Sequence, residues 1–100
     1  MEIGFEVEHP GIVLWEEYLQ PIGISQSQFA HDIYISYPHA NEILRGQRAI
    51  TPDTALRLAR YLGTSAEFWI NWQSLYDLQQ VAKQYDQEYN QIQPVTRVGE

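Results

Sequence analysis

The chain has 100 residues, 44% of them hydrophobic, a formal net charge of −7 and no cysteine. This length suits one compact domain with a single core, and the lack of thiols excludes disulfides and thiolate metal sites, as fits a reducing compartment. No stretch approaches the roughly 18 apolar residues that span a bilayer, and the acidic start "MEIGFEVEHP" lacks the basic region of a signal peptide, so the sequence reads as soluble and cytoplasmic, with no membrane partner.

In "EIGFEVE" the residues Ile3, Phe5 and Val7 alternate with Glu2, Gly4, Glu6 and Glu8, the period of a half-buried strand. A lone strand needs a partner, so the segment either pairs with another chain or frays. Pro10 and Gly11 then open a helix over about 10–20, stopped by Pro21 and Gly23. Ser25 with Gln28 three residues on has the pattern of a capping box and starts helix 2, whose apolar stripe is Phe29, Ala30 and Ile33. After the connection "YIS", Ser36 caps a third helix with Pro38 in its first turn, and Gly46 ends it after Arg45. Thr51, Pro52 and Asp53 begin helix 4, with Ala55, Leu58, Ala59 and Leu62 on one face and Gly63 at its end. Ser65 opens helix 5, for which Phe68, Trp72, Leu75, Tyr76 and Ala82 make the expected apolar stripe. Beyond about residue 86 the chain is polar and glutamine-rich, which predicts a mobile tail.

The acidity is unevenly placed. Residues 1–19 hold five acids and no base, whereas Arg45, Arg48, Arg57 and Arg60 fall within sixteen positions of a middle segment that is slightly positive. Such a distribution suits one face for an anionic partner and another for a cationic one. Helix 2, the short connection and helix 3 are spaced as a helix-turn-helix, which sets its second helix in a DNA major groove.

The runs "HPGIVLWEEYLQPIGISQSQFA" and "NEILRGQRAITPDTALRLARYLGTSAEFWINWQSLYDL" together resemble the HigA-type, or VapI-like, antitoxins of the XRE-like helix-turn-helix family. The resemblance covers about His9 to Leu78, and its most specific parts are His9-Pro10-Gly11, the run from Arg48 to Ala59, and "GTSAEFWINWQ". It implies an all-α, five-helix XRE/lambda-repressor-like domain, placed over 9–85; the patterns at either end add a short N-terminal extension (1–8) with its possible strand and a polar tail (86–100). It further implies a homodimer that binds operator DNA and a cognate HigB/RelE-like toxin, a basic mRNA interferase, and needs no cofactor.

By the same resemblance the base edges are met by Tyr37, His39 and Asn41, with Ser36 at the helix N-terminus suited to a phosphate. Asn pairs bidentately with adenine, His donates to guanine, and Tyr donates to phosphate or packs on a thymine methyl. Arg45, Gln47 and Arg48 in the following loop are the expected phosphate clamps. The bland reading of His39 and Asn41 is that they are exposed polar residues, and that of Arg57 and Arg60 is pairing with surface acids. Tyr34 stands where the family often has glycine, and Tyr37 and Pro38 where it often has arginine and glutamine, so basic readout is reduced. For the toxin, Glu6, Glu8 and Glu16 supply negative charge, while Ile12 and Trp15 put apolar side chains on helix 1 where relatives tend to carry charge. Trp15 alternatively packs within its own domain.

Catalysis is not supported. The three histidines His9, His31 and His39 form no HExxH pair, no serine lies in a Gly-x-Ser-x-Gly elbow, and adjacent Glu16 and Glu17 diverge on a helix. The competing reading is an interaction module that neutralises a partner without reading DNA.

Overall fold

The computed structural model describes residues 4–96, within which the chain is all-helical and contains six helices. The first, α1, is composite: an α-turn Pro10–Val13, a π-helical stretch Leu14–Leu19 and a 3-10 turn Gln20–Ile22. Pro21 accounts for the change of pitch, because it has no N–H for the carbonyl four residues back and its ring crowds that carbonyl. The coil widens, Gln20 N–H donates to Trp15 O, and the helix stops at Gly23 in the left-handed conformation. Then come α2 (Gln26–Ile33), α3 (Tyr37–Leu44), α4 (Pro52–Leu62), α5 (Ala66–Gln84) and a short α6 (Asp86–Asn90).

Capping sets most of these boundaries. The hydroxyls of Ser25, Ser36, Thr51 and Ser65 accept from the backbone N–H of Gln28, His39, Thr54 and Phe68 at 3.1–3.3 Å. Each such bond satisfies an otherwise orphaned donor and contributes about 0.5–2 kcal/mol. The expected capping box at Ser25 is only half formed, since the Gln28 amide turns away to Asp32 at 2.6 Å.

Leu14, Leu19, Phe29, Ile33, Ile43, Ile50, Leu58 and Trp69 fill one core. Gln73 is also buried, its Oε1 accepting from Ile50 N–H and its Nε2 donating to Asp77 at 2.9 Å, so the chain entering α4 is tied to α5. The predicted stripe of α5 needs correction. Phe68 and Leu75 are exposed, Trp72, Tyr76 and Ala82 are half-buried, and the fully buried residues of the helix are Trp69 and Gln73, with Gln80 half-buried beyond them. Two glutamines on that face hid its periodicity.

The N-terminal strand does not form among the described residues; Glu2 and Ile3 lie outside them. Residues 4–9 are irregular, Val7 is buried and Phe5 is 71% exposed, because no second strand is there to pair with them. Side chains of α5 take the backbone groups instead. Gln79 accepts from Val7 N–H at 2.7 Å and donates to Phe5 O at 2.8 Å, Trp72 Nε1 donates to Glu8 O at 2.9 Å, and Lys83 pairs with Glu6. The expected five helices are six, because the polar C-terminal segment starts as α6, where Asn90 donates to Asp86 and Tyr85 lies against Tyr89. The described body measures 57 × 25 × 24 Å, and residues 83–96 are exposed.

Candidate nucleic-acid interface

The motif His9-Pro10-Gly11 positions α3 from below. His9 caps α1, its Nδ1 accepting from Gly11 N–H at 2.9 Å, and its ring meets Tyr76 edge-on at 4.9 Å. Gly11 lies against the carbonyl of Ile43 in α3; a Cβ would stand 1.9 Å from that oxygen, so only glycine fits. Burial lowers the His9 pKa, opposed by the nearby Asp77 carboxylate and by hydrogen bonding to the Arg48 backbone, so the ring is neutral at pH 7. One buried histidine thus touches the start of α1, the loop after α3, and α5.

The turn between α2 and α3 is unusual. Tyr34 adopts the left-handed conformation, φ 63° and ψ 44°, as the C-cap of α2, and the residue is 87% exposed. Arg57 of α4 supports the turn by donating to the carbonyls of Ile33 and Tyr34 at 2.8 and 3.3 Å while holding Asp53 at 2.9 Å. It therefore does more than the surface pairing expected for it. Beside it, Tyr61 donates to Asp32 at 2.6 Å, an interaction that holds the Asp32 carboxyl below the usual carboxylate range. Burial and that carboxylate push the Tyr61 phenol up to about 12.

Beyond the turn, Ser36 uses its oxygen as the α3 cap, leaving its O–H to donate, and Tyr37 is half-exposed at the first helical position beside exposed Pro38. Asn41 is turned toward α2, where its Nδ2 donates to Gln26 Oε1 at 2.8 Å. His39 is half-buried with its Nε2 enclosed and unpartnered; burial first, then the Arg48 charge, lowers its pKa, so it too is neutral at pH 7. Arg45 and Gln47 are exposed after α3. Arg48 is exposed but already paired, its Nη2 and Nε lying 2.6 and 2.8 Å from Glu42 Oε1.

Ser36, Tyr37, Arg45, Gln47 and Arg48 thus offer polar groups to solvent at α3 and the loop that follows it, whereas Asn41 and His39 face neighbouring protein. Sequence reasoning missed Gln26 and Glu42. No local spacing in the sequence gives either contact, since Gln26 lies fifteen residues from Asn41 and Glu42 six residues from Arg48. The residues expected at a toxin surface separate into two groups. Glu6 and Glu8 border a groove beside α5, while Ile12 packs against Gly46, which is left-handed at φ 75°, and Trp15 packs partly on the core; Glu16 is exposed. Among the described residues no group of His, Asp and Glu is placed to hold a metal ion.

The helix-turn-helix family profile matches residues 16–69, over half of the chain. Virulence-associated protein I of Dichelobacter nodosus is 49% identical over 88% of this chain and 81% of its own length. This chain belongs to the HigA-type, VapI-like antitoxins of the XRE-like helix-turn-helix family. The HigA-type fold extends over nearly the whole body. A structure of the Pseudomonas aeruginosa antitoxin HigA with the higBA promoter superposes with a TM-score of 0.85 at 38% identity, covering 90% of this chain and 99% of that one. Antitoxin GraA in complex with its operator gives 0.86 at 33% identity, covering 97% and 99%. HigA-type proteins are DNA-binding antitoxins and regulators, a non-enzymatic class, and no helix among the described residues is long and apolar enough to cross a membrane.

Proposed function

We propose that this chain is the antitoxin of a type II toxin–antitoxin module. As a homodimer it sets α3 of each subunit into successive major grooves of its own operator, about 34 Å apart, and so represses the operon, while it binds and neutralises a HigB/RelE-like mRNA interferase. The observation that carries this reading is the arrangement of α2, turn and α3, superposable on HigA held at a promoter, with Ser36 and Tyr37 at the exposed N-terminus of α3.

The residues divide by role. Ser36 donates to a phosphate at the helix N-terminus, Tyr37 meets a base edge or a thymine methyl, and Arg45, Gln47 and Arg48 clamp phosphates. Asn41 acts with Gln26 as one amide pair, and reads adenine only when that pair opens. His39 supports the helix from its buried side. The toxin, as a basic nuclease, is drawn by the acidic N-terminal fifth, where Glu6, Glu8 and Glu16 stand out, with Ile12 and Trp15 contributing apolar surface nearby.

The test is fluorescence anisotropy of the purified protein on its own upstream DNA against scrambled DNA of equal length, at two salt concentrations. A specific complex that weakens with salt is the expected result. No preference at moderate salt sinks the repressor reading and leaves a module that serves protein binding alone. That second reading has one observation in its favour, the Glu42 carboxylate that already neutralises Arg48.

A further inference from the structure

A groove of about 560 Å³ lies between residues 5–8 and the first half of α5. Its walls are Phe5, Val7, Phe68, Trp72 and Leu75, and its rim carries Glu6 and Glu8. Phe5, Phe68 and Leu75 are exposed, so a large apolar surface faces solvent at one place. The groove is preformed. Gln79 and Trp72 hold the backbone of Phe5, Val7 and Glu8 in position, and Lys83 holds Glu6, so a ligand need not order this segment when it binds.

The rim decides what occupies it. In a two-fold contact between two copies across this groove Glu8 would face its own counterpart, and like charges facing each other disfavour that contact; Glu6 is already held by Lys83. A cationic surface with an apolar side chain at its centre satisfies both parts. The apolar group fills the space between Phe5 and Leu75, while a lysine or arginine beside it meets Glu8, whose backbone carbonyl alone is engaged by α5. We infer that this groove is the docking site for the toxin, entered by an apolar side chain flanked by basic residues on the toxin surface. The inference rests on the antitoxin reading and adds to it the groove that Glu6 and Glu8 border.

The probe is the toxin encoded in the same operon, purified with its nuclease centre inactivated by substitution, and titrated calorimetrically with this protein. Leu75→Glu should weaken the complex by about 100-fold or more, as loss of a central apolar contact does, and Glu8→Lys by about 10-fold, with a smaller difference at high salt. Both positions are exposed, and both variants should keep wild-type helicity, dimer mass and operator affinity. If the wild-type protein binds toxin and both variants bind it equally well, the groove is not the site. Dissociation of Leu75→Glu into monomers in sedimentation would show a self-interface and also overturn the inference. Failure of the wild-type protein to bind the toxin removes the antitoxin reading itself, and the groove assignment with it.

Discussion

Gly11 sits directly beneath the carbonyl of Ile43, where an added Cβ would lie 1.9 Å from the oxygen. The oxygen belongs to the α3 backbone, so neither side can yield by changing a rotamer. Gly11→Ala should therefore cost about 2–3 kcal/mol in a urea melt and displace α3, lowering operator affinity even among the molecules that remain folded. A variant with wild-type stability would mean that α1 can shift away from α3 freely.

Tyr34 occupies a backbone conformation that costs a side chain of this kind about 1–2 kcal/mol. Glycine removes that strain but gains freedom in the unfolded chain, so Tyr34→Gly should stabilise by a net of about 0.5–1 kcal/mol. Tyr34→Val should move the melting temperature in the opposite direction, since a β-branched residue is the least suited to positive φ.

Glu42 competes with DNA phosphates for Arg48. The pair is exposed and worth at most about 1 kcal/mol to the fold, so Glu42→Gln should leave stability nearly unchanged. Affinity for operator and scrambled DNA should rise together, and the salt dependence should steepen by up to about one unit as Arg48 becomes available. Arg48→Ala should act in the reverse sense on both DNAs.

Asn41 and Gln26 should behave as a unit on DNA. Asn41→Ala should alter preference at one base pair by about 1–3 kcal/mol, and a double-mutant cycle with Gln26→Ala should be non-additive by at least about 0.5 kcal/mol. Additive losses, equal on every sequence, would reduce both residues to bystanders.

His9 links stability to pH. Its folded pKa lies below the ordinary value of 6.5, so the folded protein binds fewer protons there than the unfolded chain. Its contribution is complete above about pH 6.5 and is lost as pH falls toward the lowered value. His39 is lowered as well and acts in the same direction. The melting temperature should drop between pH 7 and pH 5, and His9→Asn, which keeps a capping oxygen for Gly11 N–H, should show a flatter profile.

The sequence announces the helices whose start is chemically local. Ser25, Ser36, Thr51 and Ser65 each sit three residues before the N–H they cap, so neighbours in the chain settle the matter. Interactions that need tertiary structure were hidden. Asn41 finds Gln26 fifteen residues away, and Phe5 and Val7 find Gln79 more than seventy away. For this reason the alternation at the N-terminus suggested a strand, and the sequence did not show that Asn41, a candidate reader of DNA, is paired with Gln26 in the unbound protein. The helix-turn-helix was legible from its spacing together with the family resemblance of the flanking runs, but the pairing of Arg48 by Glu42 was not, since side chains six apart meet only once α3 has ended and the loop has turned back.

Gln79 does for residues 5–7 what a neighbouring strand does elsewhere: one primary amide is both acceptor and donor to the same stretch of main chain. An extended segment with free N–H and C=O groups is a template for intermolecular sheet growth, and apolar Phe5 and Val7 would strengthen that tendency. The amide closes the template from within the molecule. Loss of the Gln79 amide should therefore lower the solubility of the protein at high concentration, with Trp72 and Lys83 left to hold the segment.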